Sequence, residues 1–402
     1  MKNYANLLKT RGVARIISAQ LAARLPSGMI SLAYLLHIER TFESYGLAGL
    51  VLAATSLGQA LAGPLTSRWM GRWAMRPVIT LTIVVSAISM AGIAFLDMSI
   101  GGYIAVGFLG GLATPPIQPA VRTIYPTMVN SKQLTPLFSL DASAQEIIWI
   151  AGPVVTTFIA TQISTTWAIV VAGVFLIGGG IWFLSCRELG TVTIPPSRNK
   201  MGVVLKKPPV LLATVVGFLL IGAAAAVEVA VVSVFGHEGA QAGIILSIWA
   251  IGSIIGGLAL GGVPIGPSAL ATRMAVVFVG IALAGIILDF WWIAGALLIA
   301  GAGIAPALAV MFAIVSASVK FSDTAEAYGW MGSGQLIGAA LGSAIAGFAI
   351  DGWGSVGGFI AASAFALVGL VVATLFRSAH PDLRGRDAAP IPDTEPVGTL
   401  KL

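Results

Sequence analysis

The sequence predicts an all-α membrane protein of twelve transmembrane helices, and three observations carry that expectation. Of its 402 residues, 57% are hydrophobic and only 9% are charged. A soluble domain carries roughly 25% charged residues, so the implied solvent is lipid. Twelve apolar runs reach the length of about 20 residues needed to cross the hydrocarbon. The lysines and arginines fall in alternate loops, on one side of the membrane.

In chain order the runs lie near 14–37, 45–66, 78–96, 100–121, 135–158 and 166–184, then near 209–233, 241–262, 269–288, 291–315, 326–350 and 356–376. Turn or charge signals separate most of them, as from His37 to Glu43, Arg68 to Pro77, Asp97 to Gly102 and Arg122 to Lys132. With the N-terminus in the cytoplasm, of 22 Lys and Arg only Arg40 falls in an outer loop and only Arg24 within a span. That split supports the span count and places both termini in the cytoplasm. The net charge of +6 then reads as orientation, not as a nucleic-acid face. No small-residue cleavage site follows the first apolar run, so no removable signal peptide is expected.

Composition also narrows the chemistry. The single cysteine, Cys186, excludes a disulfide framework and a Cys-rich metal site. His37, His237 and His380 fall in loops or the tail without metal-ligand spacing, and no nucleophile triad or phosphate-cradling loop is present. An enzyme, a metal, a cofactor and an ATP-driven pump are all unexpected.

The loop from Ser185 to Pro209 is the longest internal connection. It divides the chain into a six-helix bundle over 1–184, a cytoplasmic loop over 185–208, a second bundle over 209–376 and a tail over 377–402. The tail, with Pro390, Pro392 and Pro396, is expected to be disordered. The bundles repeat one another. At an offset of 194, Gly49, Gly58 and Gly63 meet Gly243, Gly252 and Gly257. At an offset of 190, Ser143, Gln145 and Gly152 meet Ser333, Gln335 and Gly342, and Gly111 and Pro116 meet Gly301 and Pro306. Two pseudo-symmetric halves are what alternating access requires, because one can rock against the other.

The loop after the second run reads GPLTSRWMGRWAMRPVI from Gly63 to Ile79, and the fifth run contains LFSLDASAQEIIWIAGP. With these stretches the chain resembles the major facilitator superfamily over its whole length. It looks like a bacterial branch similar to the drug and sugar efflux permeases. The resemblance implies a monomeric transporter in the bacterial cytoplasmic membrane, taking a small-molecule substrate and protons. It makes Arg68, Arg72 and Arg76 an inner-side loop that governs conformation. The family's acidic position in that loop holds Gly71, so a carboxylate latch is not supplied there. Gly152 and Pro153 partly match an antiporter motif. The resemblance also implies that spans one, four, seven and ten line a central cavity.

Within the spans, Gln20, Arg24, Ser27, Ser31 and Tyr34 follow each other at steps of three and four and share one helical face. Such a stripe faces a cavity or another helix, not lipid. Glu146 lies about 16 Å into its span at 1.5 Å per residue, a depth like that of Arg24, and an Arg24–Glu146 contact is expected. Asp141 and Arg122 read as a structural ion pair near the inner interface, and Glu228 as a gate residue or a solvated helix end. Trp149 is a candidate cavity aromatic. Pro115, Pro116 and Pro306, with Gly152 and Pro153, are candidate hinges or ordinary kinks. The leading expectation is proton-coupled export of a small organic molecule. The alternatives are import of a sugar or metabolite by symport and, more remotely, a membrane protein that transports nothing.

Overall fold

The computed structural model of the chain describes residues 2–192, 194–195, 200–235, 241–385 and 388–393. His237, Arg198, Arg386, Pro396 and Lys401, which figure in the reading of the sequence, lie outside the described residues. Among the described residues, eleven helical stretches are long and apolar enough to cross a membrane, and the shorter apolar helix Ala269–Ala284, span nine, makes a twelfth.

Spans two, three and six are the uninterrupted helices Tyr45–Trp73, Met75–Phe95 and Thr165–Ser185. Spans seven, eight, ten, eleven and twelve are Pro208–Phe235, Gln241–Leu260, Phe290–Ser318, Phe321–Trp353 and Ser355–Leu375. Large apolar side chains such as Ile88, Phe95, Val174 and Phe348 stand exposed along them. In water such a surface would drive association; here it is the face presented to acyl chains.

Three spans of the first half are interrupted. Span one is Val13–Arg24 then Pro26–Phe42, because Pro26 has no N–H to continue the ladder. Span four is Ile100–Leu112 then Ile117–Met128, with Pro115 and Pro116 in the gap. Span five is Ser131–Ala144 then Glu146–Gln162, interrupted at Gln145, whose N–H is shared by the Asp141 and Ser143 carbonyls. Of the candidate hinges, Pro115 and Pro116 do break their span. Pro153 and Pro306 sit inside continuous helix. Gly152 has a packing role, since a Cβ there would lie 2.6 Å from the Gly28 backbone of span one.

The two bundles are built alike. Gly28 of span one lies against Ile148 and Gly152 of span five, and Gly222 of span seven lies against Gly338 and Gly342 of span eleven. Gly111 of span four meets Thr55 of span two, and Gly301 of span ten meets Trp249 of span eight. Each pair is carried onto its counterpart by the offsets of 194 and 190. Small residues permit these backbone approaches, which replace hydrophobic burial as the source of cohesion in lipid.

The tail departs from expectation. Residues 377–385 and 388–393 are folded against the second half. Leu383 N–H donates to the Ile265 carbonyl, Ile391 pairs in parallel with Lys320, and Ser322 donates to the Asp393 carboxylate. The buried Leu383 and Ala388 anchor it. A proline-rich stretch lacks helix but here finds loop edges to bond. The loop between the halves likewise carries a short helix, Glu188–Thr191, and a 3-10 turn, Val203–Lys206.

Candidate functional site

The polar face of span one meets the breaks in spans four and five. Arg24 donates from Nη1 to Gln20 Oε1 at 2.8 Å and from Nη2 to Gln145 Oε1 at 3.2 Å. Gln20 Nε2 donates to Asp141 Oδ1 at 2.9 Å, and the Tyr125 hydroxyl donates to the same oxygen at 3.0 Å. Arg122 Nε pairs with Asp141 Oδ2 at 3.0 Å, with both side chains sealed from solvent at 1% and 0% exposure. The Arg122 guanidinium lies 3.4 Å from the ring centroid of Phe312, a residue of span ten, so the network touches the second half through a cation–π contact. The expected Asp141–Arg122 pair is therefore present, wrapped in protein and not set at a wet interface. Arg122 binds the carboxylate directly, Arg24 reaches it only through the Gln20 amide, and Gln145 Oε1 accepts from both guanidinium groups. Tyr125, Gln145 and Phe312 were not among the sequence candidates. Gln145 could have been found from its repeat partner Gln335.

The expected Arg24–Glu146 contact does not form. Gln145 occupies that direction, and Glu146, one residue on and about 100° around the helix, points elsewhere. Its Oε1 accepts from Ser253 Oγ of span eight at 2.9 Å. Ser253 Oγ also accepts the Ala305 N–H of span ten. Glu146 is thus half-buried between the two halves with a neutral partner. Glu228 of span seven is exposed, and lies within electrostatic range of Glu146. Ser27 and Ser31 continue the span-one stripe and are exposed, as is Trp149, whereas Tyr34 is buried.

Contacts between the halves run from Glu146–Ser253 toward the end of the bundle that bears most of the Lys and Arg. Two seams close that end. In one, Gly63 of span two meets Gly329 of span eleven, where a Cβ on Gly63 would lie 2.8 Å from the Gly329 carbonyl, and Ser333 Oγ donates to the Ala60 carbonyl. In the other, Gly257 of span eight meets Ser139 and Ser143 of span five, with Ser139 Oγ donating to the Gly257 carbonyl. The offsets of 194 and 190 again carry one seam onto the other. Among the described residues, spans one and seven share no comparable interface.

The first seam is also latched. Arg68 Nη1 pairs with Glu326 Oε2 at 3.0 Å, and Glu326 Oε1 accepts the Gly202 N–H at 2.7 Å. The carboxylate missing from the loop after span two is supplied instead by span eleven. Arg76 bonds the Cys186 carbonyl at 3.3 Å within its own half, and Arg72 is exposed. Of the three loop arginines, Arg68 is the one with a bond across the halves among the described residues.

The description of the Major Facilitator Superfamily matches this sequence over residues 16–288 and 235–400, which together cover nearly the whole chain. The chain belongs to the major facilitator superfamily. It is a multi-pass membrane transport protein and not an enzyme. The fold agrees with solved members of the superfamily. The human organic anion transporter MFSD10 (TETRAN) superposes with a TM-score of 0.70 at 16% identity, covering 90% of this chain and 99% of that one. A bacterial homologue of the iron transporter ferroportin, in an outward-facing state, gives a TM-score of 0.72 at 11% identity over 92% of this chain and all of its own. The proton:xylose symporter XylE bound to 6-bromo-6-deoxy-D-glucose gives 0.72 at 11% identity over 94% and 98%. At such identities the shared property is the fold. No curated protein matches the sequence significantly.

Proposed function

We propose that this superfamily member is a secondary active transporter of the bacterial cytoplasmic membrane, exporting a small organic molecule in exchange for protons by alternating access. The observation that carries the reading is Glu146, a carboxyl group at membrane depth that joins the two halves through the Ser253 hydroxyl. Ionisable groups at such depth mark ion and proton paths. With a neutral partner, Glu146 can gain or lose a proton without breaking an ion pair, and the change falls on a bond between the moving halves.

The concentration of Lys and Arg at the closed end supports assigning that end to the cytoplasm. The conformer then faces outward, the state in which an exporter releases substrate and takes up a proton. Arg24, Ser27, Ser31 and Trp149 supply a polar and aromatic wall on the first half, and Glu228 supplies a carboxylate on the second. Arg68 and Glu326 hold the inner side shut until the proton-loaded form swings back. Pro115 and Pro116 provide a flexible joint beside the wall.

Vesicles test the reading. In everted vesicles with an imposed pH gradient, uptake of the transported compound should occur with the parent chain and be lost with Glu146→Gln. Accumulation in right-side-out vesicles instead would identify a symporter. Gradient-driven transport by Glu146→Gln at the parental rate would remove the coupling role altogether.

A further inference from the structure

At the basic end, the close of span twelve, the tail after it and the loop before span nine flank an open recess of about 470 Å³. Its walls include Ser268, Arg377, Ser378, His380, Asp382 and Arg384. Span nine begins there; its Ala269 N–H is taken by the Gly266 carbonyl, and its capping residue Ser268 gives no side-chain acceptor to the other N–H groups of the first turn. A helix start in that condition attracts an anion.

An independent observation lies on the other wall. His380 is 4% exposed, its Nδ1 lies 2.7 Å from the Pro381 carbonyl, and its buried Nε2 has no partner among the described residues. The Arg273 guanidinium, also buried and with its Nε unpartnered, bears on the same ring. Arg384 is held by Asp382, with Nη2 to Oδ2 at 2.6 Å. Arg377 is exposed on the turn Arg377–Ala379. The balance of Arg273, Arg377, Arg384 and Asp382 is positive.

We propose that this recess binds the phosphodiester headgroup of an anionic phospholipid. Basic pockets between helix ends at the membrane surface suit such headgroups. The choice of a lipid over a free phosphate rests on the surroundings. Leu375 at 71% exposure and Phe376 at 56% stand beside the recess and continue the lipid-facing surface of span twelve. A headgroup in the recess leaves its acyl chains lying along them. The headgroup oxygens accept from Arg377, from the first turn of span nine and from His380 Nε2. With Nδ1–H directed at the Pro381 carbonyl, Nε2 donates only when the ring is an imidazolium, so binding takes up a proton. Burial, reinforced by Arg273, pushes the His380 ring below its usual range, with the bond to the Pro381 carbonyl and then Asp382 opposing. Affinity therefore rises as pH falls.

The test uses the full chain in detergent, with bound lipid counted by native mass spectrometry and unfolding followed by temperature. Phosphatidylglycerol should bind and raise the Tm, while phosphatidylcholine should do neither. Arg377→Gln, a change at an exposed side chain, should weaken phosphatidylglycerol binding by about tenfold, the scale of one charge-assisted hydrogen bond. Binding to the parent chain should tighten from pH 7.5 to pH 5.5, and His380→Gln should flatten that response. Equal phosphatidylglycerol affinity in the parent and Arg377→Gln chains would overturn the site. Inorganic phosphate reproducing the whole Tm rise would overturn its assignment to lipid.

Discussion

Arg122 holds its charge almost without solvent, and what keeps it there is Asp141 on one side and the Phe312 ring on the other. Removing one member of a buried pair costs about 3–5 kcal/mol, because the other charge is stranded. Asp141→Asn should therefore lower the Tm of the purified chain sharply. Tyr125→Phe, which deletes one of several hydrogen bonds to that carboxylate, should cost only about 1 kcal/mol. A similar fall for both would show that the pair is not the anchor. At this scale the sequence was half legible. Depth along a span follows from counting residues, and it placed Arg24 and Glu146 at one level. Rotation about the axis does not follow from depth. One residue is about 100° of turn, and that turn gives Arg24 to Gln145 and sends Glu146 to Ser253.

Among the elements, the interruptions at Leu25 and Gln145 face each other, and the polar network hangs between them. Irregular backbone at membrane depth survives where protein or a cavity covers it, as it does here. Hydropathy marks the spans, because lipid imposes a length, and it marks Pro115 and Pro116, because the ring chemistry is local. It does not mark Gln145, which has no breaker of its own and is interrupted by what its neighbours bond. Pro153 and Pro306 show the converse, being absorbed into continuous helix. The glycine seams give a prediction at this level. A Cβ on Gly63 or Gly329 would meet the facing backbone at 2.8 or 2.5 Å. Gly63→Val should therefore hold spans two and eleven apart. Spin labels on the basic ends of those spans should report a longer distance in Gly63→Val than in the parent. An unchanged distance would mean that the seam yields by local adjustment.

For the whole molecule, the repeat visible as matched glycines and serines became matched interfaces: span one on five as seven on eleven, span two on four as eight on ten, and the two cross-half seams. Register was legible because it is linear in the chain. The relative tilt of the bundles was not, since it is a property of one conformer. The Arg68–Glu326 pair adds a charge test of that tilt. Glu326→Arg alone should favour the form open at the basic end, and adding Arg68→Glu should restore closure. Crosslinking of cysteines placed at positions 60 and 333 would read both states. Crosslinking that is high in the single variant would reject the pair as a latch. The interhelical loop joins the same device, since the Gly202 N–H shares the Glu326 carboxylate. The two seams are thus copies in backbone but unequal in fastening. The door made by spans two and eleven is bolted to the connecting chain. Its twin at spans five and eight rests on hydroxyl–carbonyl bonds, with Glu146 at its mid-membrane edge. Unfastening should begin at the twin, so one protonation there can start the swing while the bolted leaf serves as the pivot.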